Sequence, residues 1–159
     1  MNRSFALSIA VVTLLTVVPA SVRAQAAASE VGTWTLSVKK STYSPGPAPK
    51  SATRTYTMVG AMLKSVVERV SADGKPTKTE YTAGFDGKDY PLTGAPQYDM
   101  LALTKLDANT THASLKKGGK EVAQSHRVVS KNGKSLTVTT TGVTDTGEKM
   151  KNVEHYDKK

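Results

Sequence analysis

From Gly32 onward the chain alternates apolar and polar residues with a period of two, in runs of strand length. The runs are Thr33–Val38, Ala52–Val59, Met62–Val70, Thr77–Ala83, Tyr90–Leu92, Tyr98–Leu106, Thr111–Lys116, Glu121–Val129, Ser135–Val143 and Lys149–Asp157. Thr, Val and Tyr dominate them, and these side chains suit a pleated surface better than a helix. No stretch after residue 30 sustains a 3.6-residue apolar period. Between the runs stand turn signals: Val59-Gly60-Ala61, Asp73-Gly74-Lys75-Pro76, Asp86-Gly87-Lys88, Asp107-Ala108-Asn109, Lys117-Gly118-Gly119-Lys120, Lys131-Asn132-Gly133-Lys134 and Asp145-Thr146-Gly147. Asn-Gly, Asp-Gly and Gly-Gly accept the positive φ of tight hairpins, so each signal predicts an antiparallel reversal.

Ser41–Lys50 breaks the pattern. Its Tyr43-Ser44-Pro45-Gly46-Pro47-Ala48-Pro49 can be neither helix nor central strand, which predicts a stiff extended loop. The remainder reads as an all-β, antiparallel up-and-down meander of about 8–10 strands. A meander of that length must hide its edges, and closure into a lipocalin-like β-barrel does so. A two-sheet sandwich competes, but it calls for Greek-key crossovers that the short connections do not provide.

The turns also predict registers. A two-residue Gly118-Gly119 turn sets Leu115 against Val122 and Ala113 against Gln124; a tight reversal at Asp107 to Thr110 sets Ala102 against Leu115. Met100, Ala102, Leu106, Ala113, Leu115 and Val122 then share an inner face, with Leu101, Leu103 and His112 outside. The Asn132-Gly133 turn pairs Val129 with Leu136 and Arg127 with Val138, which puts the apolar residues on the opposite face. A β-bulge at Val128-Val129 is expected to reconcile the two halves.

The amino terminus carries a different signal. Met1-Asn2-Arg3 precedes an apolar run from Phe5 to Val18, and Pro19-Ala20-Ser21-Val22-Arg23-Ala24 offers small residues before a cut. This layout predicts a secretory signal peptide over residues 1–24, cleaved after Ala24 or Ala26. The apolar run is short of the ~20 residues that a membrane span needs. A flexible lead-in over 25–31 and a single barrel domain over 32–159 are expected. The protein is therefore expected in a periplasm or outside the cell, as a monomer with no transmembrane span after cleavage.

The chain has no Cys, which removes disulfides, Cys-ligated zinc and thiol catalysis together. Its formal net charge is +9, and loss of Arg3 and Arg23 with the leader leaves +7. The basic residues are spread rather than clustered. Such a balance favours anionic partners, although Lys on exposed strands also protects sheet edges.

Candidate chemistry is sparse. His112, His126 and His155 lack metal-ligand spacing, and opposing His112 to His126 would require the Gly118-Gly119 hairpin to slip by one residue. No nucleophile elbow, phosphate loop or calcium-loop pattern is present. Neither an enzyme nor a metal or cofactor protein is expected, and 6% aromatic content argues against nucleic-acid binding. Trp34, Tyr56, Tyr81, Met58 and Met100 are the large side chains expected to point into the barrel, filling it or lining a cavity. The Gly60 turn sets Met58 near Leu63 and Arg54 near Val67, so Arg54 and Arg69 join that face as candidate anion anchors.

Gly32-Thr33-Trp34-Thr35-Leu36 resembles the Gly-x-Trp opening of the calycin group, the lipocalins and intracellular lipid-binding proteins. The resemblance implies a first-strand Trp packed across one barrel end and an interior that binds lipids or other small apolar molecules. Val153-Glu154-His155-Tyr156-Asp157-Lys158 is similar to the last strand of lipid-binding proteins, with Glu154 where those have an Arg that holds the ligand carboxylate. The chain also looks like a group of small exported bacterial proteins of unassigned function. It shares with them Gly32-Thr33-Trp34, the Lys40-to-Pro49 stretch, Asp86-Gly87-Lys88-Asp89-Tyr90-Pro91-Leu92-Thr93-Gly94, Tyr98-Asp99 and Lys116-Lys117-Gly118-Gly119-Lys120. That likeness implies compartment and fold, and no reaction.

The expected function is thus an exported lipocalin-like binding protein for a small or amphipathic molecule, with anions among the candidates. The alternatives are an envelope interaction protein with a solid barrel and basic surface, and a barrel enzyme that would need convergent titratable groups.

Overall fold

A computed structural model describes residues 29–159; the expected signal peptide lies outside the described residues. Eleven strands run in chain order: β1 (Gly32–Leu36), β2 (Thr42–Ser44), β3 (Ser51–Val59), β4 (Met62–Val70), β5 (Pro76–Ala83), β6 (Asp86–Thr93), β7 (Met100–Lys105), β8 (Thr110–Lys117), β9 (Lys120–Val129), β10 (Ser135–Val143) and β11 (Lys149–Lys158). Each strand from β3 to β11 pairs antiparallel with the next, and β1 pairs with both β3 and β11, which closes the barrel. β2 pairs with β11 at Lys151–Val153, below the Tyr156–Lys158 segment that β1 uses. A single 3-10 turn at Val38–Lys40 separates β1 from β2. β1 and β2 therefore make one broken stave, and the barrel has ten. Closure covers most of the strand edges, with the β5–β6 seam held by only the Glu80–Thr93 and Tyr81–Leu92 pairs and β2 paired on one side.

Trp34, Tyr56, Leu63, Leu101, Leu103, Val129, Leu136, Val138 and Tyr156 fill the interior with almost no exposure. The core follows from alternation: on β9, Ala123, Ser125, Arg127 and Val129 are buried while Gln124, His126 and Val128 face solvent.

Four expectations are corrected. First, Leu101 and Leu103 face inward, because β7 and β8 pair as Leu101 with Leu115 and Leu103 with Ala113. Leu106, expected inside, is 56% exposed. The Asp107 carboxylate accepts from the amides of Asn109 and Thr110, so that reversal is one residue different from the tight turn. Second, the bulge lies at Val122 and not at Val128-Val129: Lys116 pairs with Glu121 and Leu115 with Ala123. The pairings of Val129 with Leu136 and Arg127 with Val138 are as expected. Third, Asp86-Gly87-Lys88 is not a reversal but an irregularity within β6, where Gly87 takes φ of 74°. The chain turns back earlier, between Ala83 and Asp86. Fourth, part of the Pro-rich segment joins the sheet as β2.

Ser29 and Glu30 are held against the barrel. The Ser29 hydroxyl donates to the Ala108 carbonyl at 3.0 Å, and the Trp34 indole donates to the Glu30 carbonyl at 2.9 Å. Among the described residues no helix is long and apolar enough to cross a membrane.

Candidate functional site

Strand registers gather charge inside the barrel. Lys105 pairs with Thr111, Thr111 with Arg127, Arg127 with Val138 and Val138 with Glu154. These five residues form one rung across β7 to β11. On the opposite wall, Tyr56 pairs with Ser65 and Ser65 with Tyr81, while Arg54 lies between Trp34 and Val67. Two polar nests result.

The first nest surrounds Glu154, which is buried. Arg54 donates to its Oε2 at 2.8 Å and Tyr156 to the same oxygen at 3.0 Å. Arg69 and Tyr43 donate to Oε1, Tyr43 at 3.2 Å. Burial alone would push the Glu154 carboxyl up, but the Arg54 and Arg69 guanidinium groups outweigh it and hold the carboxyl below its ordinary value. Burial raises the phenols of Tyr43 and Tyr156, the latter to about 12. Both phenols thus keep their donating protons at neutral pH.

The second nest surrounds Arg127, which is 3% exposed. One guanidinium nitrogen donates to the Tyr81 hydroxyl at 2.6 Å, and the guanidinium stands over the Tyr56 ring, 5.5 Å from its centre. Among the described residues its Nε and Nη2 have no hydrogen-bond partner, nor do the hydroxyls of Tyr56 and Ser65. Burial works against the Arg127 charge, yet Tyr81, Glu30 and Tyr56 more than offset it and raise the pKa. Burial raises the Tyr81 phenol to about 12. Lys105 donates to the Thr111 hydroxyl at 3.1 Å and lies 3.8 Å from the buried Glu30 carboxylate. Burial lowers the Lys105 pKa, with Glu30 opposing.

Arg54, Arg69, Lys105 and Arg127 oppose Glu30 and Glu154, so these inward charges leave a formal +2 in a sheltered space. An unmet buried donor costs about 1–3 kcal/mol, and the cost falls when an acceptor arrives. Among the described residues both carboxylate oxygens of the buried Glu30 also lack a hydrogen-bond partner, so the nest holds unmet acceptors as well as unmet donors.

The residues singled out from sequence are distributed as follows. Arg54 and Arg69 meet at Glu154; Tyr56 and Tyr81 flank Arg127; Trp34 is fully buried beneath the Lys158 ammonium, which stands 5.0 Å from its ring centre. Met58 sits at the barrel rim, 37% exposed, and Met100 occupies the outward parity opposite Lys116 and Pro91, since Leu101 takes the inward position. Sequence reasoning missed Arg127, Lys105, Tyr43 and Glu30 as site residues. The alternation Ala123, Ser125, Arg127, Val129 carried the signal for Arg127. His112 and His126 do oppose each other, through the slipped register, with ring centres 4.8 Å apart on the outer face. No group of three or more His, Asp or Glu that could hold a metal occurs among the described residues.

Two surface clefts stand out among the described residues. One of about 310 Å³ lies beside the Pro-rich loop, lined by Pro47, Pro49, Arg69, Ser71, Ala72 and Asp73. The other, of about 630 Å³, lies along the ends of β9, β10 and β11 by Val122, Gly142 and Met150.

The antiparallel meander closes into a ten-stranded β-barrel. The chain is similar in fold to the crystal structure of zebrafish ileal bile acid-binding protein complexed with cholic acid, with a TM-score of 0.52 and 11% identity over 82% of this chain and 99% of that one. No protein-family model matches the chain, and no curated protein matches it in sequence.

Proposed function

We propose that the protein is an exported barrel that binds a small amphipathic molecule, with an anionic group of the ligand held at Arg127. The observation that carries this reading is the buried Arg127 guanidinium, two of whose nitrogens have no partner among the described residues, in a nest with the similarly unpartnered hydroxyls of Tyr56 and Ser65. An anionic oxygen in that nest satisfies donors that otherwise remain unpaired, and it neutralises part of the interior +2. Leu63, Leu101, Leu103 and Val138 fill the interior, so the apolar remainder of an amphipathic molecule enters by displacing side chains of this core. The structural neighbour is a barrel of the same kind that holds cholic acid, which supports a binding role over a catalytic one. Export and a periplasmic or extracellular location belong to the proposal and rest on the amino-terminal sequence.

Titration calorimetry with cholate, a long-chain carboxylate and their neutral amides tests the reading. Carboxylates are expected to bind more tightly than the amides, and Arg127→Met to weaken them about 10- to 100-fold, the worth of one charged hydrogen-bonded contact. Equal binding of carboxylate and amide, or an Arg127→Met variant that binds as well as the parent, would sink it.

A further inference from the structure

We propose that Arg54 and Arg69 form a second carboxylate cradle, open to solvent, which the chain fills with its own Glu154. Four donors from four strands converge on this one carboxylate: Tyr43 from β2, Arg54 from β3, Arg69 from β4 and Tyr156 from β11. Each oxygen receives one guanidinium and one phenol. Such two-by-two recognition by planar cations and hydroxyls matches a carboxylate in shape as well as in charge. Apolar residues of similar volume commonly stabilise a fold as well as a buried ion group does, so packing alone does not call for this arrangement.

Two further observations treat the cradle as a site. The Nε of Arg54 is buried without a partner among the described residues, so donor capacity remains after Glu154 is fully engaged. Arg69 is 28% exposed and lines the 310 Å³ cleft beneath Pro47 and Pro49, which connects the cradle to solvent. The cradle also lies close to the Arg127 nest. Arg127 and Glu154 both pair with Val138, so their backbones stand about 10 Å apart, two strand spacings.

The consequence for specificity rests on the reading given under Proposed function. With Arg127 free and the cradle filled, the barrel takes a ligand with one anionic group. Glu154 repels a second carboxylate and is the residue that sets this limit.

The cradle can be tested without any knowledge of the ligand. In Glu154→Ala the two guanidinium groups lose their counter-ion and a small carboxylate has room to replace it. Melting temperature is followed as sodium acetate replaces sodium chloride at constant ionic strength, for wild type and variant. The Arg127 nest is common to both, so the reading is the gain of the variant over wild type. A saturable excess rise is expected, of about 5 °C once acetate reaches tenfold its Kd. If Glu154→Ala is unfolded in chloride, refolding in acetate is the same result. If it folds in neither salt, Glu154→Ala combined with Arg69→Gln carries one uncompensated cation instead of two and reports by the same titration, with a weaker acetate affinity. No acetate-specific response in whichever of the two variants folds overturns the cradle. Carboxylate binding at Arg127 is read from Arg127→Met in the parent protein, so either proposal can fail while the other stands.

Discussion

Leu115 stands opposite Ala123 across β8 and β9, one residue beyond the partner that a regular hairpin would give it. The displaced residue is Val122, which bulges between the Lys116–Glu121 and Leu115–Ala123 pairs. This one residue decides which side of β9 faces the core, because side chains alternate and a slip of one exchanges the two faces. It puts Arg127 inside and His126 outside.

Deletion of Val122 is therefore expected to be tolerated. It removes the unpaired residue and leaves Lys116 opposite Glu121 and Leu115 opposite Ala123, so Arg127 stays buried. The cost is local twist, roughly 1 kcal/mol. Deletion of Thr139 in β10 has no bulge to absorb it in the pairing with β9, and turns Leu136 or Val138 outward. Chemical denaturation of both variants checks the contrast; a Val122 deletion as damaging as the Thr139 deletion would contradict it.

Stability in acid should depend on Glu154. Its carboxyl is held below the ordinary 4.5, so on acidification the unfolded chain takes up this proton before the folded one does. The stabilisation it contributes is complete above pH 4.5 and drains as pH falls towards the depressed folded value. Glu154→Gln is expected to be less stable than the parent at neutral pH, with a gap that narrows below pH 4.5. Urea midpoints of the two proteins at several pH values provide the measurement, and a gap that does not change with pH would refute the assignment.

Gly94 admits no side chain. It sits at φ of 78°, and a Cβ there would lie 1.8 Å from the Lys78 carbonyl oxygen. β5 and β6 share only the Glu80–Thr93 and Tyr81–Leu92 pairs, and Gly94 passes against β5 directly beyond them. Gly94→Ala is expected to cost about 2–4 kcal/mol and to loosen this seam first. Hydrogen exchange at Glu80 and Tyr81 reports the loosening, and unchanged protection there would count against it.

Trp34 is the sole tryptophan, and its indole holds the Glu30 carbonyl. Trp34→Phe removes the donor and is expected to cost about 1–3 kcal/mol. It should also release residues 29–31 from the barrel end, seen as faster proteolysis near Glu30. An equally resistant variant would show that other contacts hold the segment.

Most of the fold was legible because turns and alternation are local properties. Gly60, Gly74, Gly118-Gly119, Gly133 and Gly147 all mark reversals, since φ above zero at little cost is a property of the residue itself. Gly87 shows the limit of that rule: the same conformation serves a strand irregularity as well as a turn. Arg54 and Arg69 were legible as inward candidates because the Gly60 hairpin is regular throughout β3 and β4. Arg127 was not, because its facing depends on the Val122 bulge, and a bulge is fixed by two strands together.

The sequence by itself determined an antiparallel meander, its closure, its Cys-free basic composition and most of its reversals. Each of these follows from backbone preference, composition or the need to cover sheet edges. Only the tertiary structure decided that Glu154 engages both Arg54 and Arg69, while two donors of Arg127 have no partner among the described residues. Arg54 and Arg69 stand 100 and 85 positions from Glu154 along the chain, and hydrogen bonding among buried charges depends on where closure of the ring sets them down.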